Sequence, residues 1–126
     1  MSERKPHRKI LVVDDDHGVR EVIRAMLESV GFEVSIAVNG RDAMSMLHTD
    51  TFDLILTDLV MPEQEGIATI KEIRQNYPQV KVIAMSGAFG GDYLRIAGFL
   101  GAHGTLAKPI KLEAVLRAID DVMQLP

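Results

Sequence analysis

The chain has 126 residues, of which 47% are apolar and 25% charged, and its formal net charge is −4 at pH 7. The absence of cysteine excludes disulfides, thiolate metal ligands and a cysteine nucleophile, and the high apolar content argues against a disordered chain. The mild negative charge argues against a nucleic-acid-binding surface, and no apolar run reaches the ~20 residues of a membrane-spanning helix. We therefore expect one soluble, cytoplasmic domain at residues 9–124, preceded by a basic tail at residues 1–8, without direct contact to nucleic acid or membrane.

Apolar runs that are typical of buried strands alternate with helical patterns along the chain. The strand candidates are residues 9–13, 33–38, 52–57, 80–85 and 105–107. The first of them reads Ile-Leu-Val-Val at residues 10–13, so it is apolar on both of its faces. Strands of this kind belong in a parallel sheet that is covered by helices on both sides.

Helical patterns fill the intervals between these strands. In the first interval Val19, Val22, Ile23, Met26, Leu27 and Val30 recur at the spacing of one helix face. Asp16 is a candidate N-cap of this helix, and Gly31 is a candidate stop. Further helices are predicted around residues 42–48, from residue 67 to before Tyr77, across 91–101, and at 112–123. Five strands that alternate with five helices predict right-handed βαβ units.

Chemically active side chains follow four of the five predicted strands. Asp14, Asp15 and Asp16 follow the first strand, Asp58 the third, Ser86 the fourth and Lys108 the fifth. Ligands of open parallel sheets bind outside the carboxyl ends of the strands, so we expect these side chains to share one crevice. Each of them alone would be interpreted as a loop or turn residue, or as a solvated charge. Their joint placement favours a site.

The clustered carboxylates predict a magnesium site. Carboxylates this close repel one another unless a cation lies among them, and oxygen ligands with room for water suit Mg²⁺. A magnesium ion beside Lys108 would neutralise phosphoryl oxygens. Asp58 could then act as a nucleophile and form an aspartyl phosphate.

Taken together, these motifs resemble the receiver domain of bacterial two-component response regulators, in particular the chemotaxis regulators. The resemblance is carried by residues 10–16 (ILVVDDD), residues 58–62 (DLVMP) with Gly66, the pair Ser86-Gly87 and the pair Lys108-Pro109. It covers nearly the whole chain. It implies an α/β fold of the flavodoxin-like (βα)5 type, a three-layer sandwich whose five parallel strands lie in the order 2-1-3-4-5.

The resemblance also implies which residues handle the phosphoryl group. Asp58 matches the phosphoacceptor, Ser86 matches the switch hydroxyl, and Lys108 matches the lysine that pairs with a phosphoryl oxygen. The peptide bond between Lys108 and Pro109 is expected to be cis. Thr105 stands where an aromatic switch residue is common, so we expect the backbone rather than a ring to carry the switch.

A second set of residues is implied for the metal. Asp15 matches a direct magnesium ligand, and Asp58 is the second carboxylate placed to bind the ion directly. Asp14 matches the neighbouring acid that acts through water, and Val60 matches the residue whose backbone carbonyl reaches the metal.

The leading functional hypothesis is a signalling receiver. It would take a phosphoryl group on Asp58, with Mg²⁺, from a histidine kinase or a histidine phosphotransfer protein. It would then switch a surface that binds a downstream protein or a fused domain, and homodimer formation is left open. Such a domain is not an enzyme in the usual sense, because it catalyses only its own phosphorylation and dephosphorylation.

Three alternatives stay open at this point. An aspartate-nucleophile phosphohydrolase of a small molecule would need an acid two residues after the nucleophile, where this chain has Val60. A flavin-binding domain of the same topology would need a phosphate-binding loop after the first strand, where three aspartates would repel the phosphate. A receiver that is never phosphorylated is disfavoured by the complete set of acids, hydroxyl and lysine.

Overall fold

The computed structural model of the protein describes residues 8–59, 65–87, 95, 98 and 101–125. Its strands are β1 (Lys9–Val13), β2 (Glu33–Ala37), β3 (Leu54–Asp58), β4 (Lys81–Ser86) and β5 (Gly104–Ala107). They form one sheet in the order β2-β1-β3-β4-β5, and all four neighbouring pairs are parallel. This order confirms the flavodoxin-like topology that the resemblance implies.

The described part of the chain contains four helices. They are α1 (His17–Glu28), α2 (Gly40–Thr49), α3 (Glu65–Asn76) and α4 (Leu112–Met123). The helix predicted across 91–101 lies mostly outside the described residues. Within that range Arg95 and Gly98 are described, and both are helical. No helix in the described ranges has the length and apolar character needed to cross a membrane.

Alternate residues of the central strands face opposite sides of the sheet, so two apolar cores form. On one side Leu11 and Val13 of β1 pack in a cluster with residues of α2 and α3. On the other side Ile10 and Val12 pack with residues of α1 and α4. All five residues of β3 are buried, as expected for a central strand with helices over both of its faces.

The N-cap predicted for α1 is confirmed, but the apolar face predicted for this helix needs one correction. The Asp16 side chain accepts a hydrogen bond from the Val19 backbone N–H at 3.1 Å and so caps the helix. Val22, which the pattern places on the apolar face, is 53% exposed. The buried face instead carries Arg20, which precedes the buried Ile23 by three positions and therefore lies on the same side of the helix.

Candidate functional site

Adjacent parallel strands bring the chemically active residues to one edge of the sheet. Asp14 directly follows β1, Asp58 ends β3, Ser86 ends β4 and Lys108 follows β5. The register pairs Asp58 with Met85, next to Ser86, and it pairs Ser86 with Ala107, next to Lys108. These residues therefore lie at neighbouring carboxyl ends of the strands, and β3 ends one residue later than predicted, so that Asp58 belongs to the strand.

Three carboxylates form an acidic cluster at this edge. Asp14, Asp15 and Asp58 each offer one oxygen atom, and these atoms all lie within 4.8 Å of one another. Asp14 and Asp58 are buried, whereas Asp15 is exposed. Hard oxygen donors with one side open to water are the ligands that Mg²⁺ prefers, so the donor set fits this ion.

Lys108 bridges the two buried acids of the cluster. Its Nζ lies 2.7 Å from Asp14 Oδ2 and 3.4 Å from Asp58 Oδ2. Burial lowers the pKa of Lys108, but its hydrogen bond to Asp14 and the negative charges of Asp14 and Asp58 outweigh burial and hold that pKa above its ordinary value. The ammonium therefore stays charged, and it offsets part of the repulsion between the acids.

Asp14 has both carboxylate oxygens engaged. Oδ1 accepts a hydrogen bond from the Asp16 backbone N–H at 2.9 Å, while Oδ2 accepts from Lys108. These bonds fix the side chain at the end of β1. Asp15, the next residue, has an exposed side chain beside the open face of the cluster.

The start of α3 lies against the end of β3. A Cβ atom at Gly66 would overlap the Asp58 backbone oxygen and lie 2.6 Å from the Leu59 backbone oxygen. Only glycine allows this close approach. Gly66, which carried the resemblance as a turn residue, therefore also fixes the distance between α3 and the backbone of Asp58.

Ser86 and Thr105, the two residues assigned to switching, have different surroundings. Ser86 is fully buried, and its backbone oxygen accepts a hydrogen bond from the Lys108 N–H at 3.0 Å. Thr105 is exposed on β5, where it pairs in register with Ala84.

The peptide bond between Lys108 and Pro109 is cis, as predicted. Val60, the last of the predicted site residues, lies outside the described residues.

Sequence reasoning missed Arg20, a cation next to the cluster. The residue is 8% exposed, and its Nη1 donates a hydrogen bond of 2.6 Å to the Asp14 backbone oxygen. The spacing from Ile23 places Arg20 on the buried face of α1, but a charged residue of a helix usually faces water, so the spacing alone does not predict that Arg20 is buried.

An apolar cleft of about 630 Å³ opens beside the acidic cluster. Its lining includes Val19, Val22 and Ile23 from α1, and Lys108, Pro109 and Ile110 from the segment after β5. Lys108 thus lines the cleft and also contacts two acids of the cluster. Half of the Val22 surface is open to solvent, whereas the neighbouring Ile23 is buried.

Comparison with known proteins identifies relatives over most of the chain. Residues 10–120 match the family model of the response regulator receiver domain. The transcriptional regulatory protein CpxR of Escherichia coli (strain K12) is 41% identical over 115 residues, which covers 88% of this chain and 48% of that protein. The transcriptional regulatory protein ZraR of Salmonella typhimurium is 32% identical over 114 residues, covering 90% of this chain and 26% of that protein. The chain thus spans half or less of the length of these relatives.

Solved structures show the same architecture. A CheY-like receiver domain protein from Methanospirillum hungatei JF-1 superposes with a TM-score of 0.86 at 26% identity, covering 93% of this chain and 94% of the other. The chemotaxis protein CheY4 of Vibrio cholerae gives a TM-score of 0.85 at 28% identity, with coverages of 92% and 98%. The family match, the strand order and these structures together show that the chain belongs to the response regulator receiver domains of two-component systems.

Proposed function

We propose that this receiver domain accepts a phosphoryl group on Asp58, with Mg²⁺, from a phosphorylated histidine of a kinase or a phosphotransfer protein. The observation that carries the proposal is the position of Asp58. Its buried carboxylate lies 3.4 Å from the Lys108 ammonium and has oxygen atoms of two further acids within 4.8 Å. A nucleophile, a fixed cation and a set of metal donors thus share one crevice at the carboxyl end of the sheet.

The transfer is a displacement at phosphorus. A carboxylate oxygen of Asp58 forms the new O–P bond, the P–N bond to the histidine breaks, and its electron pair leaves with the imidazole. When bound, Mg²⁺ supplies positive charge to the phosphoryl oxygens. Lys108 would provide a second positive charge next to Asp58, and Ser86 would supply the hydroxyl that turns toward the phosphoryl group.

The donor set divides the metal-binding roles among the acids. Asp15 and Asp58 are the direct ligands in this proposal. Asp14 acts through water, because its two oxygens already accept hydrogen bonds from the Asp16 N–H and from Lys108. Val60 contributes its backbone carbonyl.

The proposed domain modifies itself once and does not turn over a small molecule. The relatives found by comparison are response regulators, and they give no support to the phosphohydrolase alternative. CpxR and ZraR are named as transcriptional regulators, and both are at least twice as long as the matched region. For residues 9–124 we therefore propose an output through contact with a protein or a fused domain, without direct contact to nucleic acid.

The chemistry is tested by intact mass after incubation with Mg²⁺ and a small phosphodonor. The parent should gain one phosphoryl group that maps to Asp58, and Asp58→Asn should gain none. Asp53→Asn is the matched control, because Asp53 immediately precedes β3 at the opposite end of the same strand, where its carboxylate accepts a hydrogen bond from the Lys9 N–H. An undiminished adduct on Asp58→Asn would show that the nucleophile is another residue.

The donor protein is proposed to dock at the apolar cleft, since Lys108 lines the cleft and contacts two acids of the acidic cluster. Val22→Asp should slow phosphorylation by a protein donor about tenfold and leave phosphorylation by the small donor unchanged. Val38→Asp is the control, because Val38 is 46% exposed and does not line the cleft. Equal slowing with both donors would place the defect in the site itself.

A further inference from the structure

Arg20 is the one buried cation among the residues that the structure describes. Besides the bond from Nη1 to the Asp14 backbone oxygen, its Nη2 lies 3.4 Å from His17 Nδ1. Its Nε is buried and has no hydrogen-bond partner within the described ranges. The Asp16 N–H and Lys108 hold the Asp14 carboxylate, so Arg20 contacts this residue only through the main chain.

Among the residues that the structure describes, none forms an ion pair with this guanidinium. Over the described residues, no carboxylate oxygen lies within 4.0 Å of it. A buried charge without a paired countercharge is unfavourable unless other charges compensate for it from further away. The acidic cluster can do so, because the bond to the Asp14 backbone places the guanidinium within a few bond lengths of the Asp14 carboxylate.

The formal charges at the site show what Arg20 changes. The three carboxylates and Lys108 carry a net charge of −2, and Arg20 reduces it to −1. A divalent cation then brings the site to +1 rather than to neutrality. A phosphoryl dianion on Asp58 adds about one further negative charge, so that the site with metal, phosphoryl group and Arg20 is close to neutral.

We propose that Arg20 is a fixed internal cation that lowers the Mg²⁺ affinity of the site, so that the unphosphorylated site binds the ion weakly until a phosphoryl group on Asp58 adds negative charge. The inference rests on the proposed function of Asp58. Because coupling between two ligands is reciprocal, the phosphoryl group and the metal each increase the affinity for the other. Arg20 acts through charge and touches neither of them.

A purely structural role for Arg20 gives the opposite result. If Arg20 only held the backbone of Asp14 in place, any neutral substitution would disorder the acidic cluster and weaken metal binding. If its charge matters, a neutral residue that can still donate a hydrogen bond strengthens metal binding. The direction of the change therefore separates the two roles.

The test compares Arg20→Gln, which keeps an amide donor, with Arg20→Lys, which keeps the charge. Calorimetric titration with Mg²⁺, without any phosphodonor, should show about fivefold or greater tightening in Arg20→Gln and a change of less than about twofold in Arg20→Lys. Beryllium trifluoride, an anionic analogue of the phosphoryl group, should increase the Mg²⁺ affinity of the parent and of Arg20→Gln by similar factors, because its attraction for the ion does not depend on Arg20.

Arg24→Gln is the matched control on the same helix. The Arg24 side chain is 41% exposed and lies within 4.0 Å of Glu21 and Glu28, so water screens its charge from the cluster. Its removal should leave the Mg²⁺ affinity within about twofold of the parent.

Equal or weaker Mg²⁺ binding by folded Arg20→Gln would overturn the inference, as would tightening in Arg20→Lys. If the glutamine variant does not fold, Arg20→Met takes its place, because it keeps the apolar stem of the side chain. A neutral variant that stays unfolded even at saturating Mg²⁺ also contradicts the inference, since the metal should replace the missing charge. The metal titration needs no phosphorylation, so it can succeed even if the mass experiment on Asp58 fails.

Discussion

Two ion pairs at opposite ends of the sheet have the same length and opposite surroundings. Lys108 Nζ lies 2.7 Å from Asp14 Oδ2 at the carboxyl end, and Lys9 Nζ lies 2.7 Å from Asp50 Oδ1 at the amino end. The Asp14 side chain is fully buried, whereas 48% of the Asp50 side chain is exposed. Water therefore screens the second pair more than the first, so pairs of equal length contribute unequal energies.

The difference between the two ends shows that repulsion between like charges is concentrated at the carboxyl end of the sheet. At the amino end the hydrogen bond between Lys9 and Asp50 raises the pKa of the lysine and lowers that of the aspartate, and Lys9 also lies over the Phe52 ring. The two charges there pair with each other, and both side chains stay in contact with water. At the carboxyl end the two buried acids Asp14 and Asp58 share one lysine, and Asp15 adds a third negative charge close to them. A cation or a phosphoryl group can change this arrangement.

The largest expected effect is on metal binding, and it should occur at one end only. Asp15→Asn removes a directly ligating charge without changing the shape of the side chain, so the Mg²⁺ affinity should fall about 100-fold or more. Asp50→Asn makes the same change at the amino end and should leave the affinity unchanged. Calorimetric titration of both variants decides this, and equal affinities would remove Asp15 from the site.

The next effect concerns packing at the carboxyl end. Gly66→Ala forces a Cβ atom into the backbone of Asp58 and Leu59, and we expect it to lower the free energy of unfolding by about 3 kcal/mol. Gly98→Ala is the control, because nothing lies within 4 Å of a Cβ atom there and the residue is helical. Urea unfolding of both variants measures the difference. A fully stable Gly66→Ala would show that α3 can move away from β3 without loss.

The topology could be predicted from the sequence because each strand and each turn is indicated by the residues of that segment alone. Apolar runs end at aspartates, glycines or prolines, and the alternation with helical patterns leaves few arrangements of a parallel sheet. The meeting of Asp14, Asp58 and Lys108 follows from the same logic, since the carboxyl ends of neighbouring strands share an edge.

The burial of Arg20 could not be predicted in the same way. A charged residue on a helix usually faces water, and the contact that buries Arg20 is made with the Asp14 backbone, which precedes it by six residues. Val22 shows the reverse case. Its spacing fits the apolar face, but the neighbouring segment at Pro109 forms one wall of an open cleft and leaves Val22 exposed. Both outcomes depend on tertiary packing, which periodicity does not contain.

A smaller effect is expected when each lysine is replaced in metal-free buffer. Lys108→Met leaves two buried acids without their shared cation and should lower the free energy of unfolding by about 2 kcal/mol. Lys9→Met removes an exposed pair and should leave the midpoint of urea unfolding unchanged within error. Saturating Mg²⁺ should restore most of the stability of Lys108→Met, because the ion replaces the missing charge. If the two variants lose the same free energy of unfolding, the two ion pairs contribute equally to stability and the proposed difference between them is wrong.

The smallest effect is a pH dependence at the amino end, where His103 connects β4 to the start of β5. Its Nδ1 accepts a hydrogen bond from the Val82 N–H at 3.0 Å, which requires an unprotonated nitrogen. Burial, together with the nearby charges of Arg74 and Lys81, lowers the pKa of His103 below its ordinary value of 6.5. The unfolded chain therefore binds the proton first. Stability should be independent of this group well above pH 6.5 and fall as the pH drops below it.

The decrease should have a slope of at most about 1.4 kcal/mol per pH unit and level off once the folded protein is also protonated. Urea unfolding between pH 8 and pH 5 measures it, and His103→Gln should remove this component because glutamine does not titrate. His48 is exposed on α2, so His48→Gln should keep the parent's pH profile. If His103→Gln loses stability with falling pH as the parent does, the Val82 bond does not hold the neutral imidazole, and other groups account for the pH dependence at this end of the sheet.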